Sequence, residues 1–128
     1  MDVLLVDDHP LIHETLRAIV RSVRPAAYFH SQFDLTTALQ EAGRLESLGL
    51  VLLDPGLPDC TGMEALSRFR ERFPDARLVI ISANDEDEQV RAAFDGGAVG
   101  YLPKTLLPRA MAEAIRVILD GGSFRPPR

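Results

Sequence analysis

Five residues of types that bind or transfer phosphate stand directly after short apolar runs: Asp7 and Asp8 after 3–6, Asp54 after 50–53, Ser82 after 78–81 and Lys104 just beyond 99–102. A single aspartate after a strand is ordinary loop chemistry, because its short side chain hydrogen-bonds nearby backbone. The set says more. On one rim, two carboxylates about 4 Å apart repel by about 4 kcal/mol at an effective dielectric of about 20, so three of them require counter-charge. Lys104 supplies one positive unit, and a Mg²⁺ ion, which takes hard oxygen ligands and keeps several waters, supplies two more. The three acids, the lysine and the ion then sum to zero. Such a pocket suits an incoming phosphoryl group, with Asp54 on the central strand as the nucleophile toward phosphorus and the metal neutralising equatorial oxygens.

These residues meet only if the runs form one sheet. The runs 3–6, 50–53 and 78–81 are continuously apolar, as strands buried on both faces of a parallel sheet are. The weaker run 99–102 makes a further strand, and 27–31, less apolar and preceded by Pro25, reads as a sheet edge. Between them lie segments with helical spacing. Pro10 opens one whose Ile12, Leu16, Ile19, Val20 and Val23 recur at steps of three and four. A second is predicted over 35–48 with Asp34 as N-cap, and a third over 62–73, stopping before Pro74. The acidic run 85–88 starts a fourth that ends at Gly96 and Gly97, and 107–120 forms the last, with Leu107, Met111, Ala114, Ile115, Ile118 and Leu119 inward. Five βα units with right-handed crossovers point to an α/β, flavodoxin-like (βα)5 doubly wound sandwich with a parallel sheet in the order 2-1-3-4-5. In that fold ligands bind outside the carboxyl ends of the strands, which is where the five residues fall.

Composition narrows the class. The chain has 128 residues, 46% hydrophobic and 26% charged, the size of one domain. A net charge of -5 and a pI near 5.1 argue against a surface made for nucleic-acid phosphates or anionic lipid. The lone Cys60 excludes an internal disulfide and a four-cysteine zinc site. No apolar run approaches a membrane span of about 20 residues, and the start MDVLLVDDHP lacks the basic flank of a signal peptide, so a cytoplasmic setting is expected. The tail GGSFRPPR reads as the beginning of a connection, giving a domain over 1–121 and linker over 122–128.

In the stretches VLLVDDHPLI, VLLDPGLPDCTGMEAL, LVIISAND, GAVGYLPKT and DGGSFRPP, taken in order, the chain resembles the receiver domain of bacterial two-component response regulators, within the group whose output is a LuxR/NarL-type helix-turn-helix. The resemblance covers essentially the whole chain. It implies that Asp54 accepts a phosphoryl group from a sensor histidine kinase or a small donor, that Asp8 binds Mg²⁺ directly and Asp7 partly through water, and that Gly56 contributes its backbone carbonyl. It further implies that Ser82 and Lys104 contact the phosphoryl oxygens and that Tyr101 is an aromatic switch. A homodimer is implied, through either the face of the fourth helix, fifth strand and fifth helix or that of the first and fifth helices. DNA would be bound only by a C-terminal domain beyond this chain. Four positions depart from the usual pattern: Pro55 after the acceptor, Gly56 where many members carry a side chain beside the attacking water, Asn84 in place of an acid, and Thr105 where proline often follows the lysine.

Several residues have blander readings. His9, beside Pro10, reads as a turn or capping residue, and His13 and His30 have no partner at metal-ligand spacing. Cys60 has no neighbouring histidine or lysine to activate it. A phosphatase of the haloacid dehalogenase type would want an aspartate two residues after the nucleophile, where Gly56 stands, and a nucleotide binder would want glycines where DDHPL repels phosphate. The remaining rival is an interaction and dimerisation module of the same fold that works without phosphate.

Overall fold

The computed structural model describes residues 1–126. Ten elements alternate without exception: β1 (Asp2–Val6), α1 (Pro10–Val23), β2 (Tyr28–Gln32), α2 (Leu35–Ala42), β3 (Leu48–Leu53), α3 (Gly62–Arg72), β4 (Arg77–Ser82), α4 (Asp87–Asp95), β5 (Gly100–Pro103) and α5 (Pro108–Leu119). All strand pairs are parallel and the order is β2-β1-β3-β4-β5, as the sequence pattern requires.

The continuous apolar strands feed two cores. Val3, Leu5, Leu50, Leu52, Val79 and Ile81 point to the side covered by α1 and α5, where Leu16, Val20, Ile115 and Ile118 meet them. Leu4, Val6, Val51, Leu53 and Ile80 point the other way, toward Leu39, Leu66, Phe69 and Val90 of α2, α3 and α4. Alternate residues thus serve opposite faces while all remain buried, so the central strands show no polar alternation. β2, at one edge, is only half-buried.

Local signals set the helix ends. Pro10 and Pro108 occupy first-turn positions. Thr61 and Glu64 form a reciprocal capping box at α3, each bond 3.1 Å. Two expectations are corrected. The second helix stops at Ala42 instead of running to residue 48, because Leu48 pairs with Asp2 in the sheet and Asp2 N–H donates to the Ser47 carbonyl at 2.7 Å. Leu107 is 74% exposed and does not face inward: it is the extended residue before Pro108, and Leu106 packs against the α1/α5 core in its place.

The start of α2 is tied to the loop after β3. Asp34 accepts from Thr37 N–H at 2.8 Å, as expected of an N-cap, and the Asp59 carboxylate accepts from the N–H groups of Leu35 and Thr36 at 2.9 and 3.0 Å. Three otherwise orphaned donors are thereby satisfied. The Leu35 N–H holds the Asp59 carboxyl below its ordinary value against the opposing effect of burial, with the Thr36 bonds assisting. A depressed carboxylate contributes stability above its unfolded pKa and loses it as pH falls through the folded value. Asp59→Ala should therefore lower stability by about 1 kcal/mol at pH 7 in urea denaturation, the scale of a lost cap. The difference from the unsubstituted protein should shrink as pH falls below the ordinary carboxylate value of 3.8 and Asp59 becomes protonated.

Candidate acidic phosphoryl-transfer site

The sheet brings three of the sequence-predicted acids to one rim. Asp7 and Asp54 continue their strands: Asp54 N–H donates to the Val6 carbonyl at 2.9 Å and Asp7 N–H to the Gln32 carbonyl at 3.1 Å. Adjacent register on neighbouring strands therefore sets their carboxylates side by side. Both are buried, Asp7 at 0% and Asp54 at 5% exposure, while Asp8 turns outward beside them. Lys104 crosses from the end of β5 and reaches Asp7 Oδ2 at 2.8 Å and Asp54 Oδ2 at 3.4 Å. Its own N–H donates to the Ser82 carbonyl at 2.8 Å, which anchors the lysine's backbone beside β4.

Two histidines join the site, and neither was assigned to it from sequence. His9 occupies the N-cap position of α1, consistent with a turn residue, but its ring makes no capping bond. Instead Nδ1 lies 2.7 Å from Asp7 Oδ1, 3.3 Å from Asp8 Oδ1 and 3.5 Å from Asp54 Oδ2, and 3.2 Å from Lys104 Nζ. Below the rim, His13 Nε2 lies 2.7 Å from the Asp7 carbonyl. A carbonyl can only accept, so Nε2 carries the proton. His13 also packs on Phe33, ring centroids 4.3 Å apart. The available signal was phase: His13 stands three residues before Leu16 on the inward stripe of α1, directly under the end of β1. His30 pairs with Asp2 Oδ1 at 2.9 Å, away from the rim.

Electrostatics separate the two buried acids. Burial raises the Asp7 carboxyl, but the Lys104 ammonium against it and the hydrogen bonds from His9 outweigh burial and hold the group below its ordinary value. Burial also raises Asp54, and there it prevails: the adjacent Asp7 charge adds to it against the Gly56 N–H and Lys104. Gly56 N–H donates to Asp54 Oδ1 at 3.0 Å, leaving Oδ2 toward Lys104 and His9. The donor groups of Asp7, Asp8, His9 and Asp54 all lie within 4.8 Å of one another. Asp7 Oδ2 is sealed from solvent and, although ion-paired with Lys104, accepts no aligned hydrogen bond. Crowded carboxylate oxygens with unspent acceptor capacity fit a hard divalent cation.

Ser82 and Tyr101 form an adjoining line. Ser82, also buried, accepts from Asn84 N–H at 3.0 Å through its hydroxyl, and the Tyr101 hydroxyl donates to the Asn84 carbonyl. Tyr101 is 1% exposed, fully turned inward among α4 residues and β4. Cys60 has its thiol pushed up to about 11 by burial, with the Asp59 and Glu64 charges adding to it, in keeping with an unreactive thiol.

The response regulator receiver domain family matches residues 3–116. Among curated proteins, the chain is 34% identical over 125 residues to the glycerol metabolism activator of Pseudomonas putida, covering 98% of this chain and 57% of that protein. It is 32% identical over 119 residues to the nitrate/nitrite response regulator protein NarP of Escherichia coli, covering 93% of this chain and 55% of that one. The chain thus spans a little over half the length of these relatives. A crystal structure of a LuxR family DNA-binding response regulator from Silicibacter pomeroyi superposes with a TM-score of 0.85 at 28% identity, covering 98% and 97% of the two chains.

The raised pKa of Asp54 has a stability consequence. Its folded pKa exceeds its unfolded one, so stability is lost as pH rises and the buried group is forced to ionise. Asp54→Asn, measured without divalent cations, should be more stable than the unsubstituted protein at pH 7 by about 1 kcal/mol or more, the scale of relieving a poorly compensated buried charge. The gain should disappear as pH falls below the ordinary carboxylate value of 3.8.

Proposed function

The chain belongs to the response regulator receiver domain family, and from that membership we propose that it is a phosphorylation-controlled switch with Asp54 as the phosphoacceptor. The observation that carries this reading is the Asp54 carboxylate itself: Oδ1 is occupied by the Gly56 N–H, while Oδ2 stays free of backbone donors and faces Lys104 and His9. A carboxylate held in this way presents one oxygen as nucleophile. Oδ2 forms the new O–P bond as the P–N bond of a kinase phosphohistidine, or the P–O bond of a small donor, breaks. The leaving group takes the electron pair and a proton from solvent.

Asp7, Asp8 and Asp54 would hold Mg²⁺, with the Gly56 carbonyl as a further ligand. When bound, the ion neutralises charge on the transferring phosphoryl oxygens. Lys104, already between Asp7 and Asp54, moves with the added charge to pair with a phosphoryl oxygen. Phosphorylation converts a group of charge -1 into one of about -2 with three acceptor oxygens. Ser82, whose hydroxyl accepts the Asn84 N–H, can donate its own hydrogen to one of them, so movement of Ser82 toward the phosphoryl group pulls on Asn84, and Tyr101 is bound to the same residue's carbonyl. The β4–α4 loop and Tyr101 are thus the elements that transmit the change.

Among the described residues no helix is long and apolar enough to cross a membrane. The partners we propose are a sensor histidine kinase and a second copy of the chain, in the cytoplasm. DNA would be reached through a C-terminal helix-turn-helix domain following the linker at 122–128. The LuxR family DNA-binding response regulator, similar to this chain, supports that output.

Incubation with acetyl phosphate and Mg²⁺ should add one phosphoryl group by intact mass, and Asp54→Asn should abolish it. No adduct from small donors or from a cognate kinase would favour the phosphate-independent module instead. Saturating Mg²⁺ alone should raise the melting temperature by several degrees, since about 100-fold excess over Kd contributes about 2.7 kcal/mol. An unchanged melting temperature with no calorimetric binding signal would reject the metal pocket.

A further inference from the structure

The tail after α5 is not a free end where the structure describes it. α5 closes with a complete Schellman arrangement: Gly121 N–H donates to the Ile118 carbonyl at 3.0 Å and Gly122 N–H to the Val117 carbonyl at 2.8 Å, with Gly121 at φ +96°. This reversal throws the following residues back onto the outer edge of β5, the strand that ends the sheet. There Phe124 pairs with Gly100 in parallel: its N–H donates to the Val99 carbonyl at 3.3 Å, and its carbonyl accepts from Tyr101 N–H at 3.0 Å. Three further contacts hold the segment. Arg77 at the start of β4 donates to the Gly122 carbonyl, the Phe124 side chain packs against the α1/α5 core, and Pro126 is buried. The Arg125 guanidinium then crosses to the opposite face and stacks on Phe94 of α4, 3.9 Å from the ring centroid.

This segment therefore rests on two supports of different kind. β5 is fixed by its ladder to β4. α4 is entered through the loop that carries Asn84, whose side chain accepts from Glu86 N–H at 3.0 Å just before the helix. The same Asn84 donates its N–H to Ser82 Oγ and receives the Tyr101 hydroxyl on its carbonyl, while Tyr101 N–H holds the tail. A continuous line of hydrogen bonds joins the hydroxyl beside the acceptor pocket to residue 124, and a second line runs from Asn84 through α4 to the Phe94 ring under Arg125.

We propose that the outer edge of β5 with the flank of α4 is an interaction surface for the chain's own segment 122–126, and that this segment is released when the pocket carries a phosphoryl group. The proposal builds on the reading of Asp54 as phosphoacceptor. When the Ser82 hydroxyl swings toward the phosphoryl group to donate its hydrogen, it pulls on the Asn84 N–H that it accepts, the start of α4 shifts with Asn84, and Phe94 moves relative to β5. Arg125 and Phe124 cannot keep both seats. Whatever follows the segment in the chain is thereby uncoupled from the sheet edge, and that edge is opened to a partner strand.

Hydrogen exchange on the 128-residue chain with Mg²⁺, with and without beryllofluoride as phosphoryl analogue, tests this. The amides of Tyr101 and Phe124 should lose protection by about fivefold or more on binding, a typical coupling between sites. Because coupling is reciprocal, Phe124→Ala and the milder surface change Arg125→Ala should each tighten beryllofluoride binding by a comparable factor. Beryllofluoride bound with unchanged or increased protection at these amides, and unchanged affinity in Arg125→Ala, would overturn the release while leaving Asp54 as acceptor. Failure of the unsubstituted chain to bind the analogue would overturn both.

Discussion

Three carboxylates crowded onto neighbouring strand ends are the constraint around which the pocket is arranged, because like charges in a water-poor site must be compensated by specific neighbours. Asp7 is compensated by Lys104 and His9, and its carboxyl is held low. Asp54 is held high by burial, to which the Asp7 charge adds, because it shares Lys104 only at a longer distance. The two acids are distinguished by what stands beside them, since both are aspartates at the ends of buried strands. The lysine has to arrive from β5, two places away from Asp54's own strand β3, and a parallel sheet with all carboxyl ends on one rim permits that.

The same geometry explains why so much of the chain is apolar and rigid. Both faces of β1, β3 and β4 are packed, so the rim cannot relax its charges by moving the strands apart. Adjustment is left to side chains and to loops. Ser82, Asn84 and Tyr101 supply it on one side, through bonds that can each be exchanged without breaking the sheet. On the other side His13 pins the Asp7 carbonyl from below, so the β1–α1 acids are braced against α1. The rim is stiff at the buried acids and adjustable along the line of Ser82, Asn84 and Tyr101.

Much of this was legible in the residue order. Continuous apolar runs at 3–6, 50–53 and 78–81 identified buried parallel strands, and their trailing Asp7, Asp8, Asp54 and Ser82 identified the rim. Asp34 and the Gly121–Gly122 pair marked helix ends that the structure has at those places. The misreadings have a common cause. Leu48 fits a helical stripe as well as a strand, and Leu107 fits the phase of α5 although the helix begins one residue later. In both, local periodicity was satisfied by a conformation that a tertiary contact overruled, sheet pairing for Leu48 and the Leu106 packing position for Leu107.

Residue types and spacing by themselves determined the fold class, the strand order and the acids and lysine that meet at the rim, because burial on two faces and short right-handed crossovers leave few ways to thread five βα units. Tertiary structure alone decided the partners. It brought His9 over three carboxylates, set His13 beneath Asp7, gave α2 the distant carboxylate of Asp59, and laid Phe124 along β5. Hydrogen bonds and charge pairs act over about 3 to 4 Å, and which groups come that close depends on packing between segments remote in sequence, information that no local pattern carries.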